Sequence, residues 1–358
     1  MHYYVPGEKD FEPRRSHFSG ASMKFRHFIL ILMVASLWLP AASEAQSLEI
    51  KPFYTQNQSP LSHIFGLPPM GEAKVLAPGR KELRFSLDHA SNYVKNDAAN
   101  ESILLDGETT RLGLALRYGV RPDFEAGIEL PYLIQGGGFL DGFIINYHNA
   151  FGFPQGGRDQ APRDRLLYEY RKNNTDLLKV DRSGSGLGDI RLQAAWQLYK
   201  GGDRDAFAAA LRGSVKLPTG DSDQLFGSGS YDGALWLTAA ADFPLAYGSL
   251  SLFGAAGMMG MTEGKVIKKQ QNNWAGFGSV GIGWSPLSWL ALKIQTDAHT
   301  PFFRDSDLRE LRDNAAQLVV GGTVALTKNM TLDIGVSEDI LVSTAPDVVF
   351  HLSLNSTF

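Results

Sequence analysis

Arg111-Leu112-Gly113-Leu114-Ala115-Leu116-Arg117-Tyr118 is followed, after the breaker Val120-Arg121-Pro122, by Phe124-Glu125-Ala126-Gly127-Ile128-Glu129-Leu130-Pro131-Tyr132. In the first stretch the even positions are large and apolar and the odd ones charged or small. In the second, Phe124, Ala126, Ile128, Leu130 and Tyr132 alternate with Glu125, Gly127 and Glu129. A two-residue period places successive side chains on opposite faces of a strand, so both stretches read as β-strands with one apolar and one charged face. The intervening proline marks a tight turn.

The same period recurs along the chain. Ile190, Leu192, Ala194, Trp196 and Leu198 alternate with polar partners, as do Leu290, Leu292 and Ile294, and then Val348, Phe350, Leu352 and Leu354. Strands are predicted at 81–94, 109–119, 123–133, 187–199, 206–217, 230–243, 248–261, 274–285, 289–299, 314–326, 330–338 and 347–358. A soluble sandwich also alternates, so connection lengths carry more weight. Tight turns follow strands two, four, six, eight and ten, and longer polar loops are expected after strands one, three, five, seven, nine and eleven. Short turns on one side and long loops on the other, with an even strand count, mark a transmembrane barrel with both ends on the short-turn, periplasmic side. Tyr118, Tyr132, Trp274, Trp289 and Phe358 fall near strand ends, where amphipathic rings sit at a lipid boundary.

The predicted fold is therefore all-β: an antiparallel transmembrane β-barrel of about 12 strands over 81–358. Closure has a physical cause, because unpaired backbone groups in hydrocarbon cost several kcal/mol each and an edgeless barrel leaves none. Composition agrees, with 38 glycines and 11% aromatics. The absence of cysteine excludes disulfides and thiol chemistry, and 34 basic against 38 acidic residues give no field for nucleic acid. Ahead of the barrel, Met23-Lys24-Phe25-Arg26, the apolar run Phe28 to Leu39, Pro40 and Ser43-Glu44-Ala45 have the form of a signal peptide. Residues 1–45 are read as an extension plus that signal, with translation starting at Met23. Residues 46–80 hold five prolines, which exclude a helix or central strand. Their Phe53, Tyr54, Ile64, Phe65 and Leu67 are costly to leave in water, so the segment is expected to fold into the lumen as a plug.

Three groups of residues carry resemblances. The terminal strand ending in Phe358 resembles the one by which Gram-negative outer-membrane barrels are recognised by their assembly machinery. Gly186-Leu187-Gly188-Asp189-Ile190, Lys216-Leu217-Pro218-Thr219-Gly220-Asp221 and Gly227-Ser228-Gly229 resemble outer-membrane transporters of phenol meta-pathway degradation clusters, over roughly 187–243. Pro52 to Pro60, Phe65-Gly66-Leu67-Pro68 and Phe143 to Arg158 resemble an uncharacterised outer-membrane family, domain of unknown function 3187, over most of the exported chain. These likenesses imply the outer membrane of a Gram-negative bacterium, with lipid and lipopolysaccharide as surroundings, and no settled activity.

Candidate functional residues follow from strand parity. Arg84, Asp88, Arg111, Arg117, Glu125, Glu129, Asp189, Arg191, Arg212, Lys216, Asp232, Asp242, Lys293, Asp297 and Asp333 share the polar faces of their strands. An outward Arg or Lys at the bilayer midplane costs about 2–4 kcal/mol, so these residues are expected to line the lumen. Both signs occur, which fits either a narrow polar channel or a closed, ion-paired core. In the long connection after strand three, Phe139, Leu140, Phe143, Ile144, Tyr147 and Phe151 recur at helical spacing. There Asp141, Asn146, His148 and Arg158 are candidates for a constriction at the barrel mouth; the same segment could instead lie on lipid headgroups. His148 could serve a lipid-modifying enzyme as general base, but no Gly-x-Ser-x-Gly elbow accompanies it. Gly184-x-Gly186-x-Gly188 precedes a strand, which argues against a phosphate loop, and no cofactor or metal is expected. The favoured function is a passive channel or uptake protein for small solutes, hydrophobic ones among them. The alternative is a non-conducting structural or surface-interaction barrel.

Overall fold

The computed structural model describes residues 48–152, 155–202, 206–341 and 344–358. The expected extension and signal at 1–45 lie outside these residues. Among the described residues are fifteen antiparallel strands: β1 Lys81–Asp97, β2 Glu101–Arg121, β3 Phe124–Gly136, β4 Leu167–Lys172, β5 Thr175–Val180, β6 Gly184–Leu187, β7 Arg191–Lys200, β8 Phe207–Lys216, β9 Asp232–Pro244, β10 Ser249–Met261, β11 Trp274–Leu287, β12 Leu290–His299, β13 Ala315–Thr327, β14 Met330–Asp339 and β15 Val348–Thr357. Two helices, α1 Asp141–Phe151 and α2 Arg309–Arg312, lie in loops. Strands β4, β5 and β6 are additions to the rim. The remaining twelve form a ring in which β3 passes directly to β7 and β15 returns to β1.

The seam is regular. Pairing runs from Glu82 with Thr357 to Ser91 with Val348, and the backbones of Lys81 and Phe358 exchange hydrogen bonds of 2.8 and 2.9 Å. No strand edge of the ring is left open, which is the condition for lying in lipid. Outward positions such as Phe85, Leu114, Ile134, Leu237, Val280, Ile294 and Leu352 are apolar and exposed, and they form the expected lipid-facing band.

Three expectations about the rim need correction. The connection after the first strand is not a long loop: β1 and β2 continue their ladder up to Asp97 with Ser102 and join through Ala98 to Asn100. The alternation fades there because the outward positions become polar, so the pattern stops before the strand does. Further on, the long connection carries a hairpin, β4–β5, which extends the sheet beside β2. The stretch read as one strand at 187–199 is split into β6, paired with the top of β3, and β7.

Residues 48–80 run inside the ring without strand pairing, as their prolines require. Phe53, Ile64 and Phe65 are fully enclosed. In the half nearer the long loops, Leu61, Ile64, Phe65 and Leu67 pack with inward Trp236 and Met259 of the wall. Tyr168 and Tyr170 of β4, and Phe302, Phe303, Leu308 and Leu311 of the β12–β13 loop, complete one apolar cluster. At the other end the interior is polar and opens into a cavity.

Candidate functional site

The interior is held by charge pairs at several levels. Nearest the short turns, Arg117 reaches Glu72 (2.7 Å), Glu82 (2.8 Å) and Glu125 (2.9 Å). Arg212 adds a second cation to Glu125 at 3.0 Å. Lys51 reaches Glu82 at 2.8 Å and Glu72 at 3.3 Å, and Arg84 joins the same two carboxylates. Lys51 and Glu72 belong to the inner segment and the rest to the wall, so the cluster fastens one to the other. Burial by itself would lower the Lys51 ammonium; the carboxylates of Glu72 and Glu82 override it and hold its pKa above the ordinary value. Burial by itself would raise the Glu72 carboxyl; Arg117, Lys51 and Arg84 together override it and hold it below the usual carboxylate range.

One level in, Glu129 pairs with Arg111 and with Arg191 (3.1 Å) and accepts a 2.7 Å hydrogen bond from the Tyr54 hydroxyl. Arg191 also donates to the Leu67 carbonyl at 2.9 Å. Nearer the long loops, Lys216 pairs with Asp189 and with Asp232 (3.3 Å), and Asp232 accepts the Gly66 N–H at 2.7 Å. Across the lumen Lys293 pairs with Asp333 at 2.9 Å, while Asp297 accepts from Thr55 at 2.7 Å. Asp242 is half-buried and pairs with Lys74 of the inner segment at 3.2 Å. All fifteen residues singled out from strand parity therefore face ion-pair or hydrogen-bond partners inside the ring, most of them buried. Parity also held a signal for Glu82, which shares the face of Arg84 and Asp88. Lys51, Tyr54 and Glu72 carried none, since their segment has no period.

The inner segment makes further backbone contacts with wall side chains. Phe53 N–H donates to Gln295 at 2.9 Å, the Trp236 indole to the Met70 carbonyl at 2.8 Å, and Arg212 to the Glu72 carbonyl at 2.7 Å. Gly71 permits the last of these: its φ is +75°, and a Cβ there would lie 2.9 Å from the Arg212 side chain. His63 sits between the Ser59 carbonyl (3.1 Å) and the Leu225 carbonyl (2.9 Å). Burial lowers its pKa, against the opposing pull of the Leu225 carbonyl.

Below these contacts is a polar cavity of about 830 Å³ at the short-turn end. Lys51, Arg84, Trp289, Thr323, Asp333 and Asn355 are among its walls. Two residues deeper along β14, beyond Asp333, the interior is filled by Phe53. The ring is 0% exposed, with the Lys293 ammonium 3.9 Å from its centre and His351 edge-on. A Cβ on Gly335 would sit 3.3 Å from this ring, so the wall is cut away to receive it.

Three of the four residues expected at a mouth constriction, Asp141, Asn146 and Arg158, have described side chains. Asp88 points inward to His351 (2.6 Å), so by the strand period His89, Ser91 and Tyr93 point outward. Arg158 donates to Ser91 (3.0 Å), lies over the Tyr93 ring and pairs with Asp141 and Asp347. Asp141 and Arg158 thus pack on the outer face of the ring, and Asn146 is exposed on α1. The His148 side chain lies outside the described residues. The helical period of this segment is visible in the sequence, whereas the side of the wall it covers is not.

A model of the family described as "Protein of unknown function (DUF3187)" matches residues 28–358, and the chain belongs to that family. No curated protein matches the sequence. Among solved structures it is similar to the COG4313 outer membrane channel from Pseudomonas putida F1. The TM-score is 0.51 at 13% identity, covering 82% of this chain and 100% of that one. The NanC porin (TM-score 0.42, 7% identity, 78% of this chain and 98% of that one) is less similar. So is the P. putida toluene transporter TodX (0.35, 10%, 78% and 89%). These likenesses concern the fold. With the closed ring and its apolar exterior, the likeness to the COG4313 channel makes the chain a β-barrel of the outer-membrane type.

Proposed function

We propose that this barrel is a passive uptake channel for small solutes, shut in the described state by residues 48–80. The observation that carries the reading is the 830 Å³ polar cavity at the short-turn end, beyond which Phe53 and the rest of the inner segment fill the ring. There the obstruction is a segment held by side-chain contacts with no ladder to the wall. Such a segment can shift without breaking the ring. The similarity to an outer membrane channel supports the same reading. Entering from the long-loop side, solutes would meet the apolar cluster first and the hydroxyl, amide and charged groups of the cavity afterwards. Hydrophobic solutes are therefore compatible with the outer half. No catalytic role is part of this reading. Membrane lipid and lipopolysaccharide are the expected surroundings, and the assembly machinery is expected to engage the β15 end at Phe358.

One observation favours a non-conducting barrel instead: ion pairs at the short-turn end and hydrogen bonds further in tie the inner segment to the wall. Planar-bilayer recording separates the two. The channel reading expects small or rare conductance steps from the full chain and large, steady ones after deletion of 48–76. Silent bilayers from a folded deletion variant would leave the structural barrel as the surviving reading.

A further inference from the structure

The lipid-facing band is interrupted on one side of the ring. On β3 the outward face is still apolar at Ile134, which is exposed. At that same level Ile134 pairs with Thr110 of β2, and Thr110 with His89 of β1. One step higher the outward pair is Ser91 and Glu108, then Tyr93 and Asp106. Polar and ionised groups at this depth would meet acyl chains, where they are expensive. They do not: Ser91, Glu108 and Asp106 are buried, because 137–152 and 155–165 are folded over them from outside.

The cover is built for that position. Glu108 accepts the N–H groups of Phe139 (3.1 Å) and Leu140 (2.6 Å) at the start of α1. A carboxylate there also complements the helix dipole. Gly138, at φ +79°, allows the approach, since a Cβ would lie 1.9 Å from the Glu108 carboxyl carbon. Arg158 satisfies Ser91, and Arg165 satisfies Asp106 at 2.6 Å. Tyr147 of α1 lies within electrostatic reach of Glu338, an outward residue at the end of β14.

With Leu140, Asp141, Ile144 and Ile145 turned to the barrel, the free surface of α1 divides in two. Phe143 (57% exposed) and Tyr147 (38%) form one flank, stacked on each other, and Phe139 (71%) stands at its start. Gly142, Asn146 and Asn149 form the other. We propose that α1 is an interfacial helix: it restores the interrupted band by laying Phe139 and Phe143 into the acyl–headgroup boundary of the leaflet on the long-loop side, with Asn146 and Asn149 toward water. The lipid band it continues, at Ile134, Ile334 and Leu352, identifies the occupant as membrane lipid.

The chain has no cysteine, so single sites can carry a nitroxide label without background. The full chain is folded into phospholipid bilayers, with heat-shifted gel mobility confirming the barrel. Labels at Phe143→Cys, Asn146→Cys and, as the lipid reference, Ile334→Cys are then compared by collision with oxygen and with a water-soluble nickel chelate. The expected result is an oxygen-to-nickel ratio at 143 several-fold above that at 146 and close to that at 334. Nickel preference at both 143 and 146 would put the helix in water and overturn the proposal. Poor access of both reagents at 143 would mean a protein covers it, and would overturn it equally.

Discussion

Glu129 accepts from two guanidinium groups and the Tyr54 hydroxyl while removed from solvent. Removing one partner of such a set leaves uncompensated charge, so Glu129→Ala is expected to cost about 3–5 kcal/mol, read as a lower urea midpoint in detergent. A loss below the scatter of the measurement would mean that water already solvates these arginines. His63 gives a pH dependence with a definite sign. Its folded-state pKa is depressed, so the unfolded chain binds the proton more readily. The seat of the inner segment is therefore strongest above the unfolded value of about 6.5 and is lost as pH falls through the folded one. Protease cleavage within 48–80 should rise on acidification below that point, and His63→Gln should flatten the rise. A pH-independent cleavage rate in the native chain would refute the linkage.

Strand order and inward charge were legible from single elements, because alternation reports which face a residue occupies. Arg117 and Glu125 stood out for that reason and prove to be paired. The upper ends of β1 and β2 were not legible, because His89 and Glu108 break the polar-inside pattern and are rescued only by a distant segment. The course of 48–80 followed from its prolines and aromatic residues only as far as "inside"; Lys51 to Glu82 and Tyr54 to Glu129 are contacts that no local period encodes. The α1 element yields a prediction of its own. Glu108→Ala removes the acceptor of two helix N-terminal amides, a loss of about 1–2 kcal/mol, and should speed proteolysis at 137–165 while leaving heat-modifiable mobility intact. Equal proteolysis of the two proteins would show that the cap is dispensable.

At the level of the whole molecule the ring and its contents are interdependent. The wall has polar and charged groups facing inward at every level, and the segment inside brings their partners. A chain lacking 48–76 should still close, since none of the wall ladders uses those residues. It should nevertheless melt at lower temperature, because Glu82, Glu125 and Asp232 each lose a contact from the inner segment. A deletion variant with unchanged thermal stability of the gel-shifted form would mean that solvent replaces the segment without cost.

The seam between β1 and β15 also dictates a sequence of events in biogenesis. The two edges that meet are the earliest and latest portions of the barrel to leave the ribosome, so the cylinder can be sealed only when translation and export are finished. Residues 48–80 precede the first edge and end up enclosed, with bulky Phe53 and Phe65 gripped on all sides. They must therefore be in place before sealing, or thread a gap that has already narrowed. An assembly intermediate trapped short of β15 should present them to added protease, and the sealed product should shield them.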